Sequence, residues 1–551
     1  MNIVAKSTDL AGVPDSWGVP IPPLRDEVHF GDRVVRCFAE RPADLNDMLR
    51  AAVKTARWED ALIAGTQRIS YIELEQIVGN VAGNLAELGV GKGDRVALLL
   101  GNVLEFVYVL FATSRLGAIA VPLGTRQRAS EIEYALNDSG AAVLVCGAEF
   151  ASNLPDRASI PALQHLFVVG AQAPRSRPFS ELLLSAPPPP EPALAEEDTA
   201  VILYTSGTTG RPKGAMLTHL GIVHSALHFE ACMAFRRGER SLLAVPASHV
   251  TGLVAIIAAT VRVAGCTVLM PQFKARDFLA LAAAQRITYT LIVPAMYNLC
   301  LLEPTFDSFD LSAWRTAGYG GAPMPEATIA TLAKKLPRLT LINGYGATET
   351  TSPATVMPIG GTAARPDSIG LPAPCSDIRI MGEDGCEMPR GESGEIWIRG
   401  PQVVPGYWNN PEATAANFTG GYWRSGDLGS MDEEGYLRIF DRKKDMINRA
   451  GYKVYSAEVE NVLSYHPAVL ECAVIGRPDP VLGEKVHAFV VPRGTEWDVA
   501  ALKAFCAERM ADYKVPDFFT ITDEPLPRNP NGKVMKTILR ERVQQLEGAE
   551  R

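Results

Sequence analysis

Tyr204-Thr-Ser-Gly-Thr-Thr-Gly-Arg-Pro-Lys-Gly214 follows the apolar run Ala200-Val-Ile-Leu203. The apolar run reads as a buried strand and the Gly/Thr segment as the loop that leaves it. Glycine lets a backbone approach an anion closely, and consecutive N–H groups form a nest for phosphate oxygens. The hydroxyls of Thr205, Ser206, Thr208 and Thr209 add donors, Gly207 and Gly210 add freedom, and Lys213 adds a mobile positive charge. Strand followed by glycine-rich loop is where α/β sheets hold phosphates. The spacing is not that of a Walker loop: Pro212 precedes Lys213 and Gly214 follows it, so no hydroxyl stands next to the lysine to hold Mg²⁺.

Working outward, the pattern alternates. Ser70-Tyr-Ile-Glu73 is a capping box ahead of Leu74, Ile77, Val78, Val81, Leu85 and Leu88 at helical spacing, with Gly89 as the stop. Residues 96–100 then read as a strand, 104–116 as a helix and 118–121 as a strand, the pattern of a parallel sheet with crossover helices. Pro187–Pro190 reads as a stiff connector dividing two sheet-bearing layers. Beyond about residue 370, short apolar segments separated by Gly/Asp/Pro turns read as a small β unit, and from Lys443 onward helices and strands form a self-contained α+β pattern.

Composition sets limits. The chain has 551 residues, too many for one core, with 47% hydrophobic and 21% charged residues. A formal net charge of −9 argues against a general nucleic-acid binder. Nine scattered cysteines without Cys-x-x-Cys argue against a disulfide framework or zinc knuckle. The first residues lack the apolar centre of a signal peptide, and Glu105, Arg115 and Arg262 interrupt the most apolar stretches, so no membrane span and a cytoplasmic location are expected.

A second loop, Asn343-Gly-Tyr-Gly-Ala-Thr-Glu-Thr-Thr351, follows the apolar strand 340–342. Tyr345 offers a flat face for a base, Thr348 a donor for phosphate and Glu349 a carboxylate for Mg²⁺. Alone, this second stretch reads more readily as a polar turn. Together, the Ser-Gly-Thr-Thr-Gly-x-Pro-Lys-Gly order and the Gly-Tyr-Gly-Ala-Thr-Glu loop resemble the adenylate-forming superfamily of acyl-CoA synthetases, aryl-acid ligases, luciferases and peptide-synthetase adenylation domains. The matching motifs run in the family's order from about Ile72 to Lys533.

The resemblance implies the rest of the site. Tyr345 stacks on adenine, with Gly344 and Gly346 flanking it, Thr348 touches the α-phosphate and Glu349 binds magnesium. Gly320, Gly321, Ala322 and Pro323 give backbone contacts to adenine and substrate. Asp427 and Arg442 hold the ribose, and Lys444 is the hinge. Gly451 lines the thiol tunnel, where Ala450 replaces the family's first glycine. Lys533, in Pro530-Asn-Gly-Lys-Val-Met-Lys536, bridges the acid and the α-phosphate, whereas Lys536 reads as helix surface and Lys443 and Asp445 as a charged surface turn. His249 is a pocket wall, and the acid pocket also draws on Val250, Thr251, Ala255, Tyr319, Gly320, Gly344, Thr350, Thr351 and Ser352. His224 and His228, at i, i+4, read as helix packing or surface.

The implied fold is α/β: a large N-terminal domain (residues 1–441) with two flavodoxin-like βα-layered subdomains and a small β-barrel-like subdomain, followed by a small mobile α+β C-terminal domain (residues 442–551). The implied activity joins a carboxylic acid to AMP, using ATP and Mg²⁺, and passes the acyl group to coenzyme A, with the C-terminal domain rotating between the two steps. No Asp stands near His249 to pair an α-ammonium group, and Thr251 stands where many hydroxycinnamate ligases carry an aromatic residue. The acid is therefore expected to be fatty, alicyclic or aryl, with a tilt toward the first two. The absence of a carrier domain after Arg551 favours a free-standing ligase. An acyl-AMP ligase loading a carrier protein, a luciferase-like oxygenase and a homodimeric assembly stay open at this stage.

Overall fold

Strands Arg95–Leu99, Ile119–Pro122, Val143–Gly147 and His165–Val169 pair in parallel, and helices such as Leu104–Arg115 and Ala129–Ser139 make the crossovers. Every side chain of Ile119–Pro122 and Val143–Gly147 is buried, which is why these strands read as continuous apolar runs. The helix Tyr71–Glu87 begins where the capping box places it: Glu73 accepts from Ser70 N at 2.8 Å, and Ser70 Oγ accepts from Glu73 N at 3.4 Å. The computed structural model describes residues 17, 20–171, 175–205, 211–494, 497–528 and 534–550.

Thr199–Thr205 joins this first sheet parallel to Ile119–Pro122, then returns as the antiparallel strand Lys213–Thr218. The second sheet holds Thr340–Tyr345, Thr316–Tyr319, Tyr289–Ile292, Arg240–Leu243, Cys266–Leu269 and Asp60–Ala64 in parallel, in that order. The proline run therefore does not divide the two layers as its composition implied. The hairpin after it stays with the first sheet, while Asp60–Ser70, far upstream, edges the second. The chain crosses between layers through the helix His219–Cys232. Apolar content marks a strand as buried and is silent on which sheet edge receives it.

Asp377–Met381, Gly394–Arg399, Tyr422–Met431 and Leu437–Arg442 form a small antiparallel sheet, the β unit expected after residue 370. The smaller C-terminal domain is built on the hairpin of Val469–Asp479 with Gly483–Pro492. Its alternation sends Val474, Val486 and Ala488 to one face, against the helices Ser456–Ser464 and Val499–Ala507, and Ala473, Ile475 and Phe489 to the other, against Leu539 and Val543. The large domain is thus a pair of βα layers plus the β unit, and the chain ends in a smaller α+β domain. Among the described residues no helix is long and apolar enough to cross a membrane.

The crossing helix His219–Cys232 is buried nearly all round, so its histidines must stay neutral. His224 Nε2 accepts from Phe38 N at 3.3 Å, and its Nδ1 lies 2.9 Å from Leu220 O. Burial pushes His224 and His228 each down to about 3. An unfolded histidine takes up its proton near pH 6.5. Between those values the unfolded chain holds two more protons than the folded one, so stability falls as pH falls. The pair is expected to remove roughly 4 kcal/mol of stability between pH 7 and pH 5. Urea midpoints measured at both values read this, and equal midpoints would contradict neutral burial.

Candidate active site

The first loop is anchored by its ends. Thr205 and Lys213 face each other in the antiparallel register, with Thr205 Oγ1 donating to Lys213 O at 3.4 Å. Ser206, Gly207, Thr208, Thr209 and Gly210 lie outside the described residues. The strand after the loop is tied to residues 406–408: Trp408 N donates to Gly214 O at 2.7 Å, and Met216 N to Gly406 O at 3.2 Å. This contact puts the Tyr407 ring 5.1 Å from Lys213 Nζ. The Tyr407 hydroxyl in turn donates to Glu349 Oε1 at 2.8 Å. Tyr407 thereby links the lysine of the first motif to the carboxylate of the second. The sequence reading missed it; its only signal was an aromatic pair after Pro405-Gly406 amid turn residues.

Glu349 is 9% exposed and makes no ion pair among the described residues. Burial raises its carboxyl above the ordinary range, against the hydrogen bond from Tyr407 and the more distant charges of Arg442 and Lys213. A buried carboxylate without a counter-charge suits a hard divalent cation, which would replace the missing positive partner. Thr348, half-buried, opens the short turn Thr348–Thr350 that carries it.

Three further motifs converge beside it. The Tyr345 hydroxyl donates to Asp427 Oδ2 at 2.7 Å, and Arg442 Nε lies 3.4 Å from Asp427 Oδ1. The backbone dictates the second contact, since Asp427 and Arg442 are direct partners across two antiparallel strands. Asp427 is 7% exposed, so its carboxylate is held in place by a hydroxyl on one oxygen and a guanidinium on the other. Gly320 is required by packing: a Cβ there would stand 2.3 Å from Gly344 O, so the two strand ends could not lie side by side. A Cβ at Gly344 would meet nothing within 4 Å, and the Gly346 position is tight against Pro353 and Thr350. Gly321 adopts φ +76°, and Gly321, Ala322 and Pro323 are exposed.

The expected acid-pocket residues divide. His249 is half-buried, with Nδ1 3.1 Å from Thr251 Oγ1. Val250 and Ala255 are buried, and Thr251–Ala258 is a π-helix, a rare geometry that recurs at functional sites. Tyr319 is 1% exposed at the end of its strand. Thr350 and Thr351 are fully buried; Thr350 Oγ1 accepts from Ala347 N at 2.9 Å, and Ser352 O accepts from Ser225 Oγ on the crossing helix.

The segment around Lys444 and the start of the last helix shows two departures from the sequence reading. Asp445 is 9% exposed, not a surface turn residue, and accepts from Arg540 Nη2 at 2.6 Å. Lys536 is not helix surface: its side chain is 15% exposed, with Nζ 2.7 Å from Glu460 Oε1 and 2.5 Å from Ser456 Oγ. The first turn of Lys536–Glu550 packs against Ser456–Ser464, and the polarity of a lysine gave no hint that it would face inward. Asp441 accepts from both Ser456 N and Ser456 Oγ, at 2.6 and 2.7 Å, tying the same helix to the strand that ends in Arg442. Lys443 and Lys444 are exposed, and Lys443 Nζ lies 3.6 Å from Glu395. Gly451 has φ +88°, and Ala450 beside it has φ +52°, a left-handed conformation that explains why glycine suits this position. Lys533 lies outside the described residues; Arg528 and Val534, on either side of its segment, form a β-bridge.

A family model described as AMP-binding enzyme matches residues 49–408, and one described as AMP-binding enzyme C-terminal domain matches residues 458–533. The chain belongs to the AMP-binding enzyme family, and its class is that of the adenylate-forming acid–thiol ligases. Among its relatives, the long-chain-fatty-acid–CoA ligase FadD13 of Mycobacterium tuberculosis is 38% identical over 86% of this chain and 93% of that one. A feruloyl-CoA synthase of an Amycolatopsis species is also 38% identical, over 87% of this chain and 94% of its own. The crystal structure of the anthranilate CoA ligase AuaEII in complex with anthranoyl-AMP aligns at a TM-score of 0.87, with 28% identity, covering 92% of this chain and 99% of the other.

Proposed function

We propose that this chain activates a fatty or aryl carboxylic acid as its acyl adenylate and transfers the acyl group to coenzyme A, releasing AMP and pyrophosphate. The observation that carries the reading is the convergence of Tyr345, Asp427 and Arg442 at one point, with Glu349, Tyr407 and Lys213 beside it. Five separated stretches of sequence meet there, each with a group that suits nucleotide binding.

A carboxylate is a poor electrophile because its leaving group is oxide. Attack of a carboxylate oxygen on the α-phosphorus of ATP forms a P–O bond, breaks the bond to the β-phosphate oxygen and expels pyrophosphate. The thiolate then attacks the acyl carbon, and AMP leaves with the oxygen that the acid contributed. Two anions must meet in the first step, so positioning and charge compensation do the catalysis. In this reading Tyr345 packs on the base, and Asp427 accepts from the ribose hydroxyls beside Arg442. Lys213 and the backbone and hydroxyls of residues 205–210 take the outer phosphates, with Thr348 at the α-phosphate. Lys533 compensates charge as the acid attacks. Glu349 would hold Mg²⁺, which neutralises phosphate charge when bound. His249, Val250 and Thr251 with the π-helix wall the acid pocket, and Gly320 to Pro323 border it. Residues 1–441 form the adenylation domain and 442–551 the mobile domain; Lys444 is the hinge and Gly451 lines the thiol path in the second step. The reaction belongs in the cytoplasm, where ATP and coenzyme A are supplied.

The relatives act on acids as different as long-chain fatty acids and ferulate, which supports an acyl or aryl class without naming one acid. Pyrophosphate release across a panel of fatty, alicyclic and aryl acids, with and without coenzyme A, tests the proposal. Release that needs one class of acid and is accelerated by coenzyme A is the expected result. Turnover only with a carrier protein would reassign the acceptor, and release with no acid dependence would overturn the function.

A further inference from the structure

A cavity of about 650 Å³ lies at the opposite end of the second sheet from the nucleotide residues, and six arginines line it: Arg68, Arg236, Arg237, Arg240, Arg286 and Arg315. Arg240 opens the strand Arg240–Leu243, and Arg315 immediately precedes Thr316–Tyr319. These are the amino ends of parallel strands whose carboxyl ends lead to Gly320 and Tyr345. Nothing in the adenylation chemistry uses them.

The charges do not cancel. Three carboxylates pair within the group of six guanidiniums, and an exposed fourth, Asp310, stands near Arg286 without pairing with it. Glu239, 1% exposed, pairs with Arg315 and accepts from Thr288 Oγ1 at 2.6 Å; Asp60 lies 2.6 Å from Arg68; Glu59 pairs with Arg237. Among the described residues Arg236 and Arg286 pair with no carboxylate. Burial first, and the neighbouring Arg236 charge second, pull Arg315 below its ordinary value, even though Glu239 pairs with it. This excess of positive charge sits in a chain whose net charge is −9.

The arginines are also held in place. Gln285 Oε1 accepts from Arg240 Nη2 at 3.1 Å and from Arg68 Nη2 at 3.4 Å, and Gln285 O accepts from Arg240 Nε at 2.6 Å. One amide thus fixes two guanidiniums side by side. Arg286 occupies φ +48°, a conformation that favours glycine. Planar guanidiniums recognise phosphate oxygens through paired N–H donors, and several converging on a concave space suit an anion with more than one charge. We infer that this cavity binds a multiply charged phosphate, presented either by a soluble anion or by an anionic lipid headgroup.

The test uses the full chain with its nucleotide site saturated by a nonhydrolysable ATP analogue, titrated calorimetrically with inorganic tripolyphosphate. One saturable site per chain is expected, weakened at least about tenfold in the double variant Arg236→Glu/Arg286→Glu. Both residues are exposed and unpaired by carboxylates, so the fold should be kept. ATP–pyrophosphate exchange in that variant reports whether it is. The control Arg379→Glu, on the small β sheet, should titrate as wild type. A second arm measures flotation with phosphatidylglycerol and with phosphatidylcholine vesicles. Retention on the anionic vesicles alone, competed by tripolyphosphate and lost in the double variant, assigns the phosphate to a lipid. Tripolyphosphate binding without retention assigns it to a soluble anion. Absence of both, or binding unchanged by the double charge reversal, overturns the inference.

Discussion

Lys533→Ala is expected to cut acyl-adenylate formation by roughly three orders of magnitude while leaving thioester formation from supplied acyl-AMP nearly intact. The first half-reaction brings a carboxylate against a polyphosphate, and a cation aimed at the forming bond acts mainly in that transition state. The second half-reaction expels AMP and builds no comparable anionic encounter. The segment carrying Lys533 is bracketed by the Arg528–Val534 bridge, and the helix that follows is pinned through Lys536 to Glu460 and Ser456. A lost side chain at position 533 should therefore leave the domain folded. Stopped-time assays of acyl-AMP formation and of acyl-AMP plus coenzyme A separate the two steps, and equal loss in both would remove Lys533 from its assigned role.

Glu349→Gln is expected to lower adenylation by about a hundredfold to a thousandfold and to flatten its dependence on Mg²⁺ concentration, without loss of stability. Glu349 is buried, its carboxyl is raised by that burial, and no cation pairs with it among the described residues. A neutral amide of the same shape removes a desolvated charge and keeps an oxygen for the Tyr407 hydroxyl. A purely structural carboxylate would show the reverse: lower thermal stability with the magnesium dependence preserved. Thermal unfolding and a Mg²⁺ titration of adenylation distinguish the two outcomes.

The parts of the site carried by local chemistry were legible in the sequence. The capping box at Ser70 and the two strands leading into the Thr205 and Asn343 motifs all rest on neighbours in the chain; the structure contains each of them, with the strands running on through Thr205 and through Tyr345 instead of ending at Leu203 and Ile342. Contacts made across the fold were not legible. Tyr407 joins Lys213 to Glu349 only because the strand Lys213–Thr218 abuts residues 406–408, about 190 positions away in the chain. The inward Lys536 and Asp445 were hidden for a related reason, since a charged residue is ordinarily solvated and only its partners, Glu460 and Arg540, reverse that. Sheet membership was likewise ambiguous: alternating strands and helices specify parallel layers, yet the edge that receives Asp60–Ser70 is chosen by packing, not by periodicity.

In the first half-reaction an oxygen of the substrate acid becomes bonded to the α-phosphorus of ATP. Turnover with an acid whose two carboxylate oxygens are ¹⁸O, followed by mass spectrometry of the nucleotide product, tests it directly. The expected product is AMP carrying one heavy oxygen, with the other left in the thioester carbonyl. Unlabelled AMP, or ADP with labelled inorganic phosphate, would contradict it.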